Sequence, residues 1–422
     1  MKILMLSWEY PPKVIGGLAR AVADLSQALV EEGHEVSVVT GDWPESQPTE
    51  YVNGVRVYRV NQFFPKPMGF LDEVHFMNYH LIQKGAELLS RVTFDVIHAH
   101  DWLVAPSAKV LKHAFEKPLV STIHATEWGR NNGLHNDMQR HISDLEWWLT
   151  YESYRVICCS EYMREELRRI FQVPEDKLTV IPNGVRAGDF KDVHDDLDTW
   201  RNNWARPEEE IVLYVGRHVY EKGIDLLLSA APKVLANRPQ AKFIIAGKGP
   251  LHDELKQKAW SMGLGEKAHF PGFVDDRTRN SLYRLADVAV FPSRYEPFGI
   301  VALEAMAGQA PVIVSDVGGF GETVQHGQNG MTFYAGNVNS LADNIIHLLN
   351  DKTLARSLNE RASRDLKEKY DWRRIARQTV ESYKQTTLKP HVHKEFYERY
   401  QLTGDFSEKE GRVRESSNHG RR

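Results

Sequence analysis

Strand-like and helix-like segments alternate along this chain in two runs, and that alternation is what most narrows its possible folds. The first run opens with KILML, an apolar run with strand character, followed by Gly16-Gly17. Next comes an amphipathic segment with Leu18, Val22, Leu25 and Leu29 on one face, stopped at Gly33, and then EVSVVT. This is a βαβ unit. Further strand candidates follow at VRVYRV, FDVIHAH, PLVSTIHA and YRVICCS, each with helical material after it. A parallel sheet covered by helices satisfies this order with the fewest assumptions.

After Ile181-Pro182-Asn183-Gly184, the polar, acidic stretch RAGDFKDVHDDLDTWRNNWARPEEE carries no steady period and reads as a linker region. The pattern then restarts with IVLYVGR, AKFIIAG, AHFPGF, VAVFPS and PVIVS as strands. A chain of 422 residues exceeds one ordinary core. The expected fold is therefore α/β, two doubly wound Rossmann-like domains facing across a cleft that holds the ligand. The first domain is expected over residues 1–190 and the second over 191–370. Residues 371–390, with helical spacing at Ile375, Val380 and Tyr383, are expected to form a terminal helix packing back toward the first domain. Residues 391–422 are polar and expected to be a disordered tail.

Composition removes several function classes. A net charge of −4 argues against general nucleic-acid binding, which calls for a basic surface. The only two cysteines, Cys158 and Cys159, are adjacent in VICCS and read as buried thiols of a reducing compartment, which makes the cytoplasm the expected location. No apolar run approaches membrane-spanning length, so a transmembrane segment is not expected, while contact with a membrane surface stays open.

The segment RYEPFGIVALEAMA, residues 294–307, carries two acids in apolar surroundings, Glu296 and Glu304. Pro297 disfavours helix at Glu296, whereas Ile300 to Ala307 is strong helix material. A helix N-terminus around Gly299, Ile300 and Val301 then lies between the two acids, and such a terminus attracts phosphate. The pattern suggests a ligand with both phosphate and hydroxyl groups. A plainer reading has Glu296 capping the helix and Glu304 facing solvent, and both stay open on this segment alone.

Two glycine-containing loops follow strands at matching places, Gly16-Gly17 in the first run and Gly216-Arg217 to Lys222-Gly223 in the second. Neither fits GxGxxG or GxxxxGK[ST], so dinucleotide and P-loop readings lose support. Each could be a tight turn; Arg217 and Lys222 after a strand could equally clamp a diphosphate. HAHDW ends another strand with His98, His100 and Asp101, and His124 in STIHATEW holds an equivalent rim position or is a core histidine. On a strand His98 and His100 share a face, which allows one in the core and one at the rim. No HExxH or CxxC spacing supplies further ligands, so no metal is expected. PGF, residues 271–273, could meet a base edge through its backbone or be an ordinary turn.

In this order, SWEYPPKVIGGLA, HAHDW, TIHATE, IPNGV, YVGRHVYEKG, FPGF and the E-x7-E element EPFGIVALE resemble the retaining GT-B glycosyltransferases of family 4, including glycogen-synthase-like members. The resemblance spans about residues 1–388. It implies a nucleotide-sugar donor, UDP- or ADP-linked, a hexose such as glucose, a glycan or small acceptor, and no metal cofactor. Glu296 would contact the donor sugar and Glu304 the ribose. Gly299, Ile300 and Val301 would offer N–H groups to the diphosphate, with Arg217 and Lys222 neutralising it and Gly17 completing the cradle. His124 would sit near the transferred sugar, Asp101 near the acceptor, and Phe273 at the base edge.

One departure concerns Lys13. The glycogen synthases carry K-x-G-G, whereas here Val14-Ile15 separates Lys13 from Gly16-Gly17, which leaves its contact with phosphate open. Trp128, Trp147 and Trp148 could stack on sugars or pack in the core. Three further readings stay open: a small or lipid-linked acceptor, a nucleotide-sugar epimerase, and a binding module without turnover.

Overall fold

The computed structural model describes residues 1–387 apart from 45 and 62–68, so the expected polar tail lies outside the described residues. The first sheet contains β1 (Lys2–Leu6), β2 (Glu35–Gly41), β3 (Thr49–Val52), β4 (Val55–Val60), β5 (Val96–His100), β6 (Leu119–Ile123), β7 (Arg155–Cys158) and β8 (Leu178–Val180). Its order is β3-β4-β2-β1-β5-β6-β7-β8, parallel except for the β3–β4 pair. The second sheet contains β9 (Glu210–Val215), β10 (Ala241–Ala246), β11 (Ala268–Gly272), β12 (Val288–Phe291), β13 (Val312–Ser315) and β14 (Met331–Phe333). It runs β11-β10-β9-β12-β13-β14, all parallel.

In each sheet the strand order reverses beside the first strand of its run: β1 lies between β2 and β5, and β9 between β10 and β12. Ligands of such sheets bind beyond the strand carboxyl ends at this reversal, where the helices on either side of the sheet part. Gly16-Gly17 follow β1 and Asp101 follows β5; Gly216-Arg217 follow β9 and Glu296 follows β12. These four loops thus fall at the two reversal points, while His124 follows β6 and Phe273 follows β11.

The stretch expected to be a linker is instead structured against the second domain. It contains a helix, Leu197–Arg201, and buries Phe190 and Ala205. The Asn280 amide holds it by donating to the carbonyls of Asp189 and Asp192 at 2.9 and 3.2 Å. Its tryptophans explain the difference, because Trp200 stacks on His194 and tilts against Trp204 in a local cluster with no helical or strand period.

The last helix, Trp372–Thr387, lays Trp372, Ile375, Ala376, Val380 and Tyr383 into one apolar cluster with Ile3, Met5, Val22 and Leu29 of the first domain. The Tyr383 hydroxyl lies 2.7 Å from His98 Nδ1. The chain therefore crosses between domains twice, and the crossings touch, since the Val185 N–H donates to the Tyr370 carbonyl at 3.1 Å. A β-carbon on Gly184 would lie 2.8 Å from both that carbonyl and the Trp372 ring, so this position has no room for a side chain.

Candidate active site

The helix Ile300–Ala307 begins at Gly299, whose φ of +97° lies in the region that L side chains rarely adopt. A β-carbon there would come within 2.4 Å of the buried Phe320 ring, so space as well as backbone angle calls for glycine. No acceptor among the described residues takes the N–H groups of Gly299, Ile300 or Val301, which leaves the positive end of the helix open to a ligand. The plainer reading of the two acids fails. Glu296 makes no capping bond, and Glu304 is 7% exposed rather than solvated.

Glu296 is 6% exposed and receives the Lys222 ammonium at 2.7 Å and the Ser293 hydroxyl at 3.2 Å, both on Oε2. Oε1 has no hydrogen-bond partner among the described residues. Its loop is braced from behind: β-carbons on Gly318 and Gly319 would meet the carbonyls of Glu296 and Pro297 at 2.2 and 2.4 Å. Glu304 Oε1 lies 4.0 Å from Arg20 and 3.7 Å from Arg279, close enough for charge attraction but beyond hydrogen-bond reach. Both carboxylates thus keep acceptor capacity for hydroxyl groups.

The two glycine loops meet across the cleft. A β-carbon built on Gly17 would sit 3.4 Å from Ile300 Cδ1, and one on Gly16 would sit 3.9 Å from Arg217 Nε. The N-termini of the helices Gly17–Glu31 and Ile300–Ala307 therefore converge, one from each domain, with Arg217 and Lys222 beside them. The first loop is held by Glu9, whose carboxylate accepts the Ile15 N–H at 2.5 Å. Burial pushes the Glu9 pKa up, countered by the N–H groups of Ile15 and Gly16 and by the charges of Lys13 and Arg217. Lys13 is turned inward, its ammonium 4.4 Å above the Trp8 ring.

His124 and Asp101 are joined directly. The Asp101 carboxylate accepts the His124 backbone N–H at 2.7 Å, and Asp101 has a φ of +61°. His124 Nε2 lies 3.2 Å from His100 Nδ1. Of the two placements the strand allowed, the structure takes the core for both: His98 and His100 are buried, and His98 is spanned by Tyr383 and Thr122, each at 2.7 Å. Burial lowers the pKa of all three rings, that of His98 to about 3, so they are neutral near pH 7.

Phe273 lies just past β11, two strands from β9, and its side chain is 67% exposed. The Gly272 carbonyl is taken by the Gly247 N–H at 2.7 Å, while the Phe273 N–H has no acceptor among the described residues. Trp128 sits under Arg169; Trp148 lies under Lys109 and packs against the buried core, whereas Trp147 stacks on Tyr151 and is 45% exposed.

Residues 15–188 match the family model for Glycosyltransferase Family 4, and residues 196–365 match that for Glycosyl transferases group 1. An uncharacterized glycosyltransferase of Methanocaldococcus jannaschii is 41% identical over 395 residues, covering 91% of this chain and 98% of that one. The chain belongs to the family 4 glycosyltransferases. A glycogen synthase of Mycobacterium tuberculosis is 37% identical over 401 residues, covering 91% of this chain and 94% of the relative. The solved structure of a sucrose-phosphate synthase from Thermosynechococcus elongatus superposes with a TM-score of 0.78 at 25% identity, covering 92% and 99% of the two chains. This family 4 enzyme has the GT-B fold, two Rossmann-like domains with the cleft between them. No helix among the described residues is long and apolar enough to cross a membrane.

Several residues of this glycosyltransferase escaped sequence reasoning. Arg20 reaches from the first domain to Asp276 at 2.6 Å and faces Glu304. Glu322 of the second domain accepts the N–H groups of Glu161 and Tyr162, each at 2.9 Å, capping a first-domain helix. The run Val317-Gly318-Gly319 was the one visible signal, since paired glycines mark a close backbone approach.

Proposed function

We propose that this glycosyltransferase moves a hexose, glucose, from a UDP- or ADP-linked donor to a glycan of the α-glucan type, with retention at the anomeric carbon. The observation that carries this reading is the convergence of two helix N-termini, Arg217 and Lys222 beside the open oxygen of Glu296. A leaving nucleoside diphosphate gains negative charge as the sugar–phosphate bond breaks, and fixed positive groups at that place stabilise the transition state. Those groups supply the charge without a divalent metal.

Within this reading, Glu296 accepts hydrogen bonds from the sugar and Lys222 both orients that carboxylate and faces the phosphates. Glu304 accepts from the ribose, and the Phe273 backbone meets the base. Neutral His124 lies near the transferred sugar and Asp101 near the acceptor. The leaving phosphate oxygen takes the acceptor hydroxyl proton on the same face as attack. The relative named glycogen synthase supports the glucan acceptor.

Nucleotide release is the test, measured with UDP-, ADP- and GDP-glucose, with and without glycogen and maltooligosaccharides. Release from one donor that rises with a glucan is expected. Glu296→Ala should abolish it while leaving the melting temperature near wild type; full activity in that variant would remove Glu296 from the mechanism, and an inverted anomer by NMR would sink retention.

A further inference from the structure

Tyr295 precedes Glu296 in the second domain, yet its side chain is buried against the first. A β-carbon on Gly129 would lie 2.4 Å from its ring, so the first domain leaves a slot for it. The Tyr295 hydroxyl donates to Glu166 Oε1 at 2.8 Å and accepts the Thr126 N–H at 3.3 Å. The Thr126 hydroxyl donates to the same Oε1 at 2.6 Å. Glu166, in the helix Glu161–Phe171, is 2% exposed. Burial and the Glu166 charge push the Tyr295 phenol well above its ordinary range, so it stays a donor.

One buried carboxylate oxygen therefore gathers the loop two residues after His124 and, through Tyr295, the loop that carries Glu296. We propose that Tyr295 and Glu166 are a positioning pair that sets the His124 and Glu296 loops relative to each other, so that domain closure and assembly of the transfer site are one event. This rests on the sugar-transfer reading above. Ring packing alone would not need the hydroxyl, and the hydroxyl is the part that reaches both partners. The neighbouring contact of the Ser160 hydroxyl with the Pro297 carbonyl, at 2.6 Å, shows that the Glu296 loop is held by the first domain on its other side too.

Tyr295→Phe keeps the ring and deletes the link. Hydrogen exchange of the full chain, with and without saturating UDP or ADP, is the first readout. In the wild type, nucleotide should slow exchange in both 124–131 and 294–300. In the variant, protection should persist in 294–300 and be lost in 124–131. With the responsive donor, kcat should fall by about tenfold to hundredfold, the loss expected when a buried hydrogen bond is removed, while donor KM moves by less than about threefold. Glu166→Gln, whose amide oxygen can accept both hydroxyls, should keep most of kcat. Equal protection of both segments in Tyr295→Phe, no nucleotide protection of 124–131 in the wild type, or an unchanged kcat would overturn the proposal. The exchange experiment needs no turnover, so a wild type that transfers nothing would sink the activity and leave the coupling to be judged separately.

Discussion

Replacing Gly299 with alanine incurs two penalties that add. The first is backbone strain: a φ of +97° places the new β-carbon in a region that costs an L residue about 1–2 kcal/mol. The second is steric. The β-carbon would lie 2.4 and 2.5 Å from two carbons of Phe320, a ring with no exposed surface and no free space to enter. Overpacking of this kind costs about 1–3 kcal/mol, so the total is roughly 2–5 kcal/mol. For a domain of this size that lowers the melting temperature by roughly 4–20 °C. Relief of the clash displaces the first turn of the helix, so nucleotide affinity should fall as well. Calorimetry of Gly299→Ala beside Gly321→Ala, where a β-carbon meets nothing within 4 Å, separates the site from a general effect of adding a methyl group. A variant that melts within about 2 °C of wild type and binds nucleotide equally would refute this account of the helix start.

Other perturbations probe the site from different sides. Gly17→Leu would push atoms toward Ile300, already in van der Waals range of a β-carbon, and should raise donor KM by about tenfold with little change in melting; an unchanged KM would show that closure does not bring these residues together. Lys222→Ala leaves a buried carboxylate without its cation and removes a donor from the phosphates, so kcat should drop by about a hundredfold or more, and a loss below fivefold would argue against a transition-state role. His98 is neutral when folded, with its pKa lowered to about 3, and protonates on unfolding below its ordinary value, so its contribution to stability is lost as pH falls through that window. Relative to wild type, His98→Gln should therefore gain about 1.4 kcal/mol per pH unit from pH 6 to 4; a difference that stays flat in denaturant titrations would contradict the neutral assignment.

The long buried strands could be read from sequence because each is a nearly continuous apolar run, as in KILML, with Ile3 to Leu6 fully buried. β3, β8 and β14 have four, three and three residues, too few to show a period. Glu296 and Glu304 were placed on loop and helix by Pro297 and by helix propensity, which are local effects. Their burial was not, because it depends on Lys222 and Arg279 supplied by distant segments. Glu166 illustrates the limit most clearly. In EYMREELRRI nothing local marks it, because its partner Tyr295 lies in the second domain, 129 residues away in sequence. Asp192 and Asp195, in the acidic stretch expected to be a linker, both pair with Arg277 of the second domain.

The return of the helix Trp372–Thr387 to the first domain has a consequence for biosynthesis. Ile3, Met5 and Val22 are translated early but are covered by Ile375, Val380 and Tyr383, which leave the ribosome after the whole second domain. The amino-terminal domain is thus the later of the two to complete its core, and until residue 387 emerges it exposes an uncovered apolar face of the kind that chaperones bind.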